Sequence, residues 1–144
     1  MKPGLTAGMT HRFTYRVPAT KTVRHIYSEA AEFQTFPEVF ATGFFVALLE
    51  WTCTQALAPY LEPSEGSVGV QVDISHSAAT PPGLDVTVTA TFVGADGKRL
   101  TWDVVAHDGV DEIGRGRHVR AVIDRARFDR RMAQKIADAK ARAG

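Results

Sequence analysis

Residues 43–58, GFFVALLEWTCTQALA, carry apolar side chains on nearly every side of a helical wheel, and this stretch constrains the fold more than any other. A surface helix shows one apolar stripe, whereas a helix that is apolar all round has to be buried. The spacing predicts a central helix over 43–58, with Thr42 as its N-cap, the hydroxyl accepting a bond from a first-turn amide. Phe45 stands where a capping box would place Glu or Gln, and Pro59 stops the helix. The longest unbroken apolar run, Phe44 to Leu49, has six residues and is far too short for a membrane span. The opening MKPGLTAGMTHRF lacks the apolar core of a signal peptide, so the expectation is a soluble, cytoplasmic chain. Its 144 residues suffice for one core, which predicts a single domain over 1–144.

What surrounds the helix has the period of strands. Phe13, Tyr15 and Val17 alternate with polar residues up to Pro18. Residues 19–38 hold several rings (His25, Tyr27, Phe33, Phe36) without a clean period and are expected to be an irregular stretch lying over the core or acting as a lid. After the turn residues 63–66, Val68, Val70, Val72 and Ile74 alternate with Gly69, Gln71, Asp73 and Ser75, and the valine face is expected to point at the helix. Beyond the breaker Thr80-Pro81-Pro82-Gly83, two further alternating runs follow. Leu84 to Phe92 and Leu100 to Ala106 are joined through Asp96-Gly97, and Asp108-Gly109 is a second hairpin turn. Residues 110–123 read as a last strand whose two faces the pattern does not distinguish. Phe128, Met132 and Ile136 recur every four residues in a short terminal helix.

One apolar helix against a curled antiparallel sheet is the hot-dog arrangement, an α+β fold. A single half-open sheet cannot cover a helix apolar on all sides, so a homodimer is expected. The net charge is +1, but it is unevenly placed: residues 125–144 carry +5 and the rest −4. Without interleaved aromatics or a recognised motif, that tail reads as a solvated basic helix and not as a nucleic-acid surface. The lone Cys53 excludes an intramolecular disulfide framework, and no histidine pair has the spacing of a metal site.

Three positions could carry chemistry. Glu50 follows six apolar residues, and a carboxylate buried there is costly unless it is paired or functional. Desolvation would raise its pKa towards a value useful for acid–base or nucleophilic work; the alternative is a structural carboxylate bonded to an amide or an arginine. His76 continues the face of Val68 to Ile74, so its parity aims it at the helix, where a neutral imidazole can serve as acid, base or orienter. The other histidines, 11, 25, 107 and 118, lack that setting. Thr42 and Gly43 stand at the helix start, where free amides can stabilise an oxyanion. Thr42 and Glu50 are eight residues apart, about 12 Å along a regular helix. Either the first turn is irregular, or the two act from neighbouring chains. Cys53 inside an apolar helix reads as inert packing, and Gly114-Arg115-Gly116 marks a strand bulge, not a dinucleotide loop.

The stretches TVRHIY (22–27), FPEVFATGFFVALLEW (36–51), APYLEP (58–63), HSAATPPGL (76–84) and AHDGVDEIG (106–114) closely resemble the fluoroacetyl-CoA thioesterases of fluoroacetate-producing actinomycetes. The likeness runs from about residue 10 to 123 and leaves the basic tail outside. It implies a homodimeric hot-dog hydrolase that splits fluoroacetyl-CoA into fluoroacetate and coenzyme A, protecting its host from fluorocitrate. It implies no cofactor, coenzyme A being part of the substrate, and a catalytic set falling on Thr42, Glu50 and His76. It places a gate at Phe36, with Val23, Phe33, Val39 and Phe40 lining an apolar pocket, and puts Gly69 and Arg120 near the acyl group. The family carries leucine at the position of Ile26, a small change in pocket shape. The competing expectations are a general short-chain acyl-CoA thioesterase, a hot-dog enoyl-CoA hydratase and a non-catalytic acyl-CoA binding module.

Overall fold

The computed structural model describes residues 1–143; Gly144, at the end of the expected basic tail, lies outside them. Five strands form one antiparallel sheet in the order β1-β3-β4-β5-β2. They are β1 (Thr10–Arg16), β2 (Glu65–Ile74), β3 (Asp85–Asp96), β4 (Arg99–His107) and β5 (Glu112–Asp124). The helix α2 (Thr42–Leu57) lies across the inner face, preceded by the one-turn helix α1 (Ala31–Gln34) and followed by α3 (Arg125–Ala143). This is the hot-dog arrangement that the sequence pattern predicts.

The alternating runs behave as expected in β3 and β4. Val86, Val88, Ala90 and Phe92 face the helix together with Leu100, Trp102, Val104 and Ala106, and all eight are buried. Both hairpin turns form where the Asp-Gly pairs stand. Gly97 and Gly109 take positive φ values of 55° and 92°, which a side chain would resist. In the second turn Asp108 Oδ1 accepts bonds from the amides of Val110 and Asp111 at 3.0 and 2.8 Å. Its other oxygen accepts from the buried Thr80 hydroxyl, and the Thr80 carbonyl accepts from the Phe40 amide at 2.8 Å. Burial alone would push the Asp108 carboxyl up, but those two amides and that hydroxyl hold it below its ordinary value. The β4–β5 turn thereby clamps the 76–80 loop beside the entry to α2.

Four details depart from the expectations, and a fifth, the half-covered helix, is what a single half-open sheet implies. The N-cap of α2 is Ala41, in extended conformation, and Thr42 is already inside the helix with no side-chain cap. At its other end Leu57 is the last α-helical residue, and Ala58–Tyr60 tighten into a 3-10 turn that contains Pro59. Only one face of α2 is covered: Phe45, Leu48, Leu49, Thr52, Cys53 and Leu57 are buried, while Ala47, Trp51 and Thr54 stay exposed in the single chain. The phase of β2 breaks, because a bulge falls between Gly69 and Gln71. Val68 pairs with Ala121 on the outer face, Val70 is the extra residue, and only Val72 and Ile74 stay on the helix side. Finally α3 is not short. It has 19 residues, none of them buried.

Within α2 the interior threonines satisfy themselves: Thr52 and Thr54 donate to the carbonyls of Leu48 and Glu50, each at 2.9 Å. Leu57, fully buried at the far end of the helix from Thr42, tests the core separately from the chemistry. Leu57→Ala is expected to lower unfolding free energy by about 2–5 kcal/mol in urea denaturation, through lost burial and the cavity left behind.

Candidate active site

Two clusters of polar side chains stand along α2. The first is at its N-terminus. The first three helical amides have no partner within the helix, and the Thr42 hydroxyl, free of capping, shares a hydrogen bond of 2.8 Å with His76 Nδ1. The imidazole packs against the Phe45 ring, centroids 4.8 Å apart and planes tilted by 39°. Its Nε2 is buried and has no hydrogen-bond partner among the described residues. Burial holds the His76 pKa below the usual imidazole value, against a smaller opposing backbone contact at Ala78. His76 is therefore neutral near pH 7, with one ring nitrogen lacking a partner.

A cavity of about 280 Å³ opens beside this pair and is lined by Val23, Phe36, Val39 and Phe40 together with Thr42 and His76. Phe36 is 48% exposed at the cavity's edge and does not seal it; Phe33, expected in the lining, stands behind Phe36, edge-on at 6.2 Å, and does not line the cavity. Ile26 sits against the helix start; a Cβ built on Gly43 would come within 2.6 Å of its Cδ1. The backbone reaches this geometry because Thr22 and Phe40 pair as an isolated bridge, tying the irregular segment 19–38 to the residues that lead into α2.

The second cluster surrounds Glu50, two turns further on. Its carboxylate lies over Gly69 in β2, where any Cβ would collide with Oε1. Arg120 Nη1 is 3.6 Å from the same oxygen and His118 Nε2 is 3.7 Å away, both from β5. Arg120 is itself buried, its Nε and Nη2 donating to the Ser67 hydroxyl and carbonyl at 2.9 and 3.1 Å. Burial pulls the Arg120 pKa down from its ordinary value, with Glu50 and Cys53 opposing. Cys53 is buried beneath, its thiol pushed up to about 12, in keeping with inert packing. The Glu50 side chain is 38% exposed, not sequestered in the single chain, and it faces Arg120 and His118, not His76. The structure thus joins Thr42 to His76 and Glu50 to Gly69 and Arg120, with a regular helix between the two groups.

A family model described as fluoroacetyl-CoA-specific thioesterase matches residues 17–126. A curated relative, the fluoroacetyl-CoA thioesterase of Streptantibioticus cattleyicolor, is 56% identical over 135 residues, spanning 94% of this chain and 97% of that protein. The chain belongs to the fluoroacetyl-CoA-specific thioesterase family. A solved structure of the fluoroacetyl-CoA thioesterase FlK, 56% identical, superposes with a TM-score of 0.91 over 92% of this chain and 98% of that one. A variant of FlK has been solved with fluoroacetate and CoA bound; it is 56% identical, with a TM-score of 0.85 over 86% and 99% of the two chains. A Thermus thermophilus thioesterase superfamily member, 27% identical, gives a TM-score of 0.87 over 98% and 99% of the chains. Membership makes this chain a thioester hydrolase of hot-dog fold.

His118 is the residue of this thioesterase that the sequence pattern passes over. It is 1% exposed and lies on the same strand face as Arg120. The signal was parity with Arg120, but that face of β5 also carries Gly114 and Gly116, so no apolar alternation reveals it. Among the described residues no cluster of His, Cys, Asp and Glu could hold a metal ion. No helix there is long and apolar enough to cross a membrane. Gly69→Ala is expected to displace the Glu50 carboxylate while leaving the circular-dichroism spectrum unchanged. A thiol-release assay on Gly69→Ala then tests whether that carboxylate takes part: turnover is expected to fall by about 10²-fold, the scale of an ångström's misplacement of a reacting group.

Proposed function

We propose that the protein hydrolyses fluoroacetyl-CoA to fluoroacetate and coenzyme A in the cytoplasm, selecting it over acetyl-CoA and so protecting the cell from fluoroacetate. The working form is a homodimer. Each of its two sites takes Thr42 and His76 from one protomer and Glu50 from the other. The observation that carries this reading is the straight helix α2, regular from Thr42 to Leu57, which keeps residues 42 and 50 about 12 Å apart. Its uncovered face and the free edge of β2, with exposed Val70 and Val72, are what a second copy would cover. His76 Nε2, buried and unpartnered among the described residues, and the half-exposed Glu50 both have capacity left for a group from outside the chain.

The chemistry follows from these groups. Fluorine withdraws electrons and makes the thioester carbonyl more electrophilic and the α-hydrogens more acidic. The Glu50 carboxylate attacks that carbonyl and displaces the coenzyme A thiolate, leaving an acyl anhydride that water then splits to fluoroacetate and free Glu50, or it takes a proton from a water that attacks in its place and displaces the thiolate. The Thr42 hydroxyl and the helix-start amides, Gly43 among them, donate to the developing oxyanion. Neutral His76 accepts a proton from the attacking water, or from the α-carbon, in which case expulsion of the thiolate leaves a ketene that adds water to give fluoroacetate. Val23, Ile26, Phe36, Val39 and Phe40 form the apolar wall, with Phe33 behind Phe36, and Gly69 and Arg120 keep Glu50 in place beside the acyl group. No cofactor takes part.

Selectivity cannot come from size. A difference as small as hydrogen against fluorine gives only about 1–3 kcal/mol in ground-state fit. The remainder arises in the transition state, where acidity and electrophilicity differ, and a pocket closed by Phe36 strengthens those electrostatic terms.

Thiol release from fluoroacetyl-CoA is expected to be far faster than from acetyl-CoA; equal rates would leave a general short-chain acyl-CoA thioesterase. Glu50→Gln is expected to abolish turnover and retain ligand. Mixing His76→Ala chains with Glu50→Gln chains restores about a quarter of wild-type activity if sites are shared between protomers, since half the dimers then hold one intact site; sites built within one chain would restore none. The pH profile carries a separate expectation. Because burial lowers the His76 pKa, its reactive neutral form persists below the usual imidazole value near 6.5. The His76 limb of kcat/KM should therefore fall at a more acidic pH than a free imidazole would give, and His76→Ala should lose that limb.

A further inference from the structure

We infer that His118 is a positioning residue of the reaction, acting through Arg120 to hold the guanidinium against Glu50. This rests on the assignment of Glu50 as the reacting carboxylate.

The hydrogen bonds fix the ring's state. His118 Nδ1 lies 2.9 Å from the Gln71 carbonyl, which can only accept, so Nδ1 carries a proton. Nε2 faces Arg120 Nη1 at 3.2 Å, and a guanidinium can only donate, so Nε2 presents a lone pair. The ring is therefore neutral and holds a single tautomer. Burial points the same way, lowering the His118 pKa against the Gln71 bond that opposes it. A neutral ring 3.7 Å from Glu50 gives that carboxylate no ion pair. Arg120 Nη1 is the third corner of a triangle with them, 3.2 Å from the imidazole nitrogen and 3.6 Å from the carboxylate oxygen. Ser67 takes the other edge of the guanidinium through its hydroxyl and carbonyl. His118 supplies the remaining anchor, and without it Nη1 is free to swing out of line with Glu50.

The Gln71 carbonyl is available because of the bulge. The register of β2 slips between Gly69 and Gln71, so the same irregularity that sets the bare Cα of Gly69 under Glu50 delivers the acceptor for His118. Cys53, the other titratable group packed on this cluster, is buried with its thiol pushed up to about 12 and remains uncharged at working pH. Arg120 is therefore the cation that Glu50 meets here.

Two substitutions separate the two ends of the ring. The amide of His118→Asn reaches the Gln71 carbonyl but stops short of Arg120, whereas His118→Gln offers an oxygen near the Nε2 position. In thiol release from fluoroacetyl-CoA, His118→Asn is expected to lose about tenfold or more in kcat. KM and the urea midpoint should stay near wild type. His118→Gln should recover most of the rate. In the Arg120→Lys background the Asn substitution should cost nothing further, because its effect passes through the guanidinium. Losses that add across the two positions, or equal losses for Asn and Gln, would overturn the inference by making His118 a packing residue. If the variants fail to fold, nitrogen-detected NMR of the wild-type dimer decides: separate, slowly rotating Nη resonances for Arg120 support an anchored guanidinium, and one averaged signal opposes it. Glu50→Gln at full rate would instead remove the proposed function, a result independent of that NMR signal.

Discussion

A straight α-helix cannot bring residues eight positions apart to one carbonyl carbon. Thr42 and Glu50 lie in one unbroken α-helix, eight residues and about 12 Å apart along its axis. The rest of the site is organised around that fixed span. At one end the loop after β2 brings His76 to Thr42, fastened by the Thr80–Asp108 bond to the β4–β5 turn. At the other, β2 and β5 bring Gly69, Arg120 and His118 under Glu50. Both clusters lie towards parts of α2 that the sheet of the same chain leaves uncovered. On the proposed reading a second copy closes the span, because two antiparallel copies of a rigid rod can place the start of one beside the middle of the other.

The bulge in β2 does more than bend an edge strand. In a regular ladder Val68, Val70, Val72 and Ile74 would share one face, and the sheet would present only aliphatic side chains to the helix. The slip between Gly69 and Gln71 hands that face first to Ser67 and Gly69 and then to Val72 and Ile74. Ser67 anchors Arg120, Gly69 gives the Glu50 carboxylate room, and the Gln71 carbonyl fixes the His118 ring. A single extra residue thus converts an apolar strand into the floor of a polar site, consistent with the concentration of such irregularities at edges and beside active sites.

The same bulge explains where the sequence was legible and where it was not. β3 and β4 read correctly because central strands packed under a helix need one apolar face, and Val86 to Phe92 and Leu100 to Ala106 supply it. The Asp-Gly turns read correctly because positive φ angles call for glycine. The parity that aims His76 at the helix holds although Val68 and Val70, two of the residues behind it, do not share its face, because the half of the strand after the bulge keeps the count. Glu50 stood out as a charge among apolar neighbours, but its partners were hidden. The inner face of β5 carries Gly114, Gly116, His118 and Arg120, and a face built from glycine and polar residues has no hydrophobic period to detect. Thr42 was misplaced by one position because Ala41 takes the extended cap conformation, leaving the threonine hydroxyl for the histidine.

Water decides how strongly these groups act. In the single chain Glu50 and Phe36 are both substantially exposed, at 38% and 48%. A carboxylate so wetted is a weak nucleophile and a weakly directed base, and hydrogen bonds to an oxyanion are worth little in high dielectric. Covering α2 would dry the carboxylate, yet a dry carboxylate without a partner would take up a proton instead of acting. Arg120, buried and always charged, stands 3.6 Å from the Glu50 carboxylate and supplies a counter-charge where water is excluded. On the proposed reading the guanidinium must not drift into full contact either, where a tight bidentate pair would quench the attacking carboxylate. On the inferred arrangement Ser67 and the neutral imidazole hold Nη1 3.6 Å from the carboxylate oxygen, close enough to attract it and short of a direct hydrogen bond.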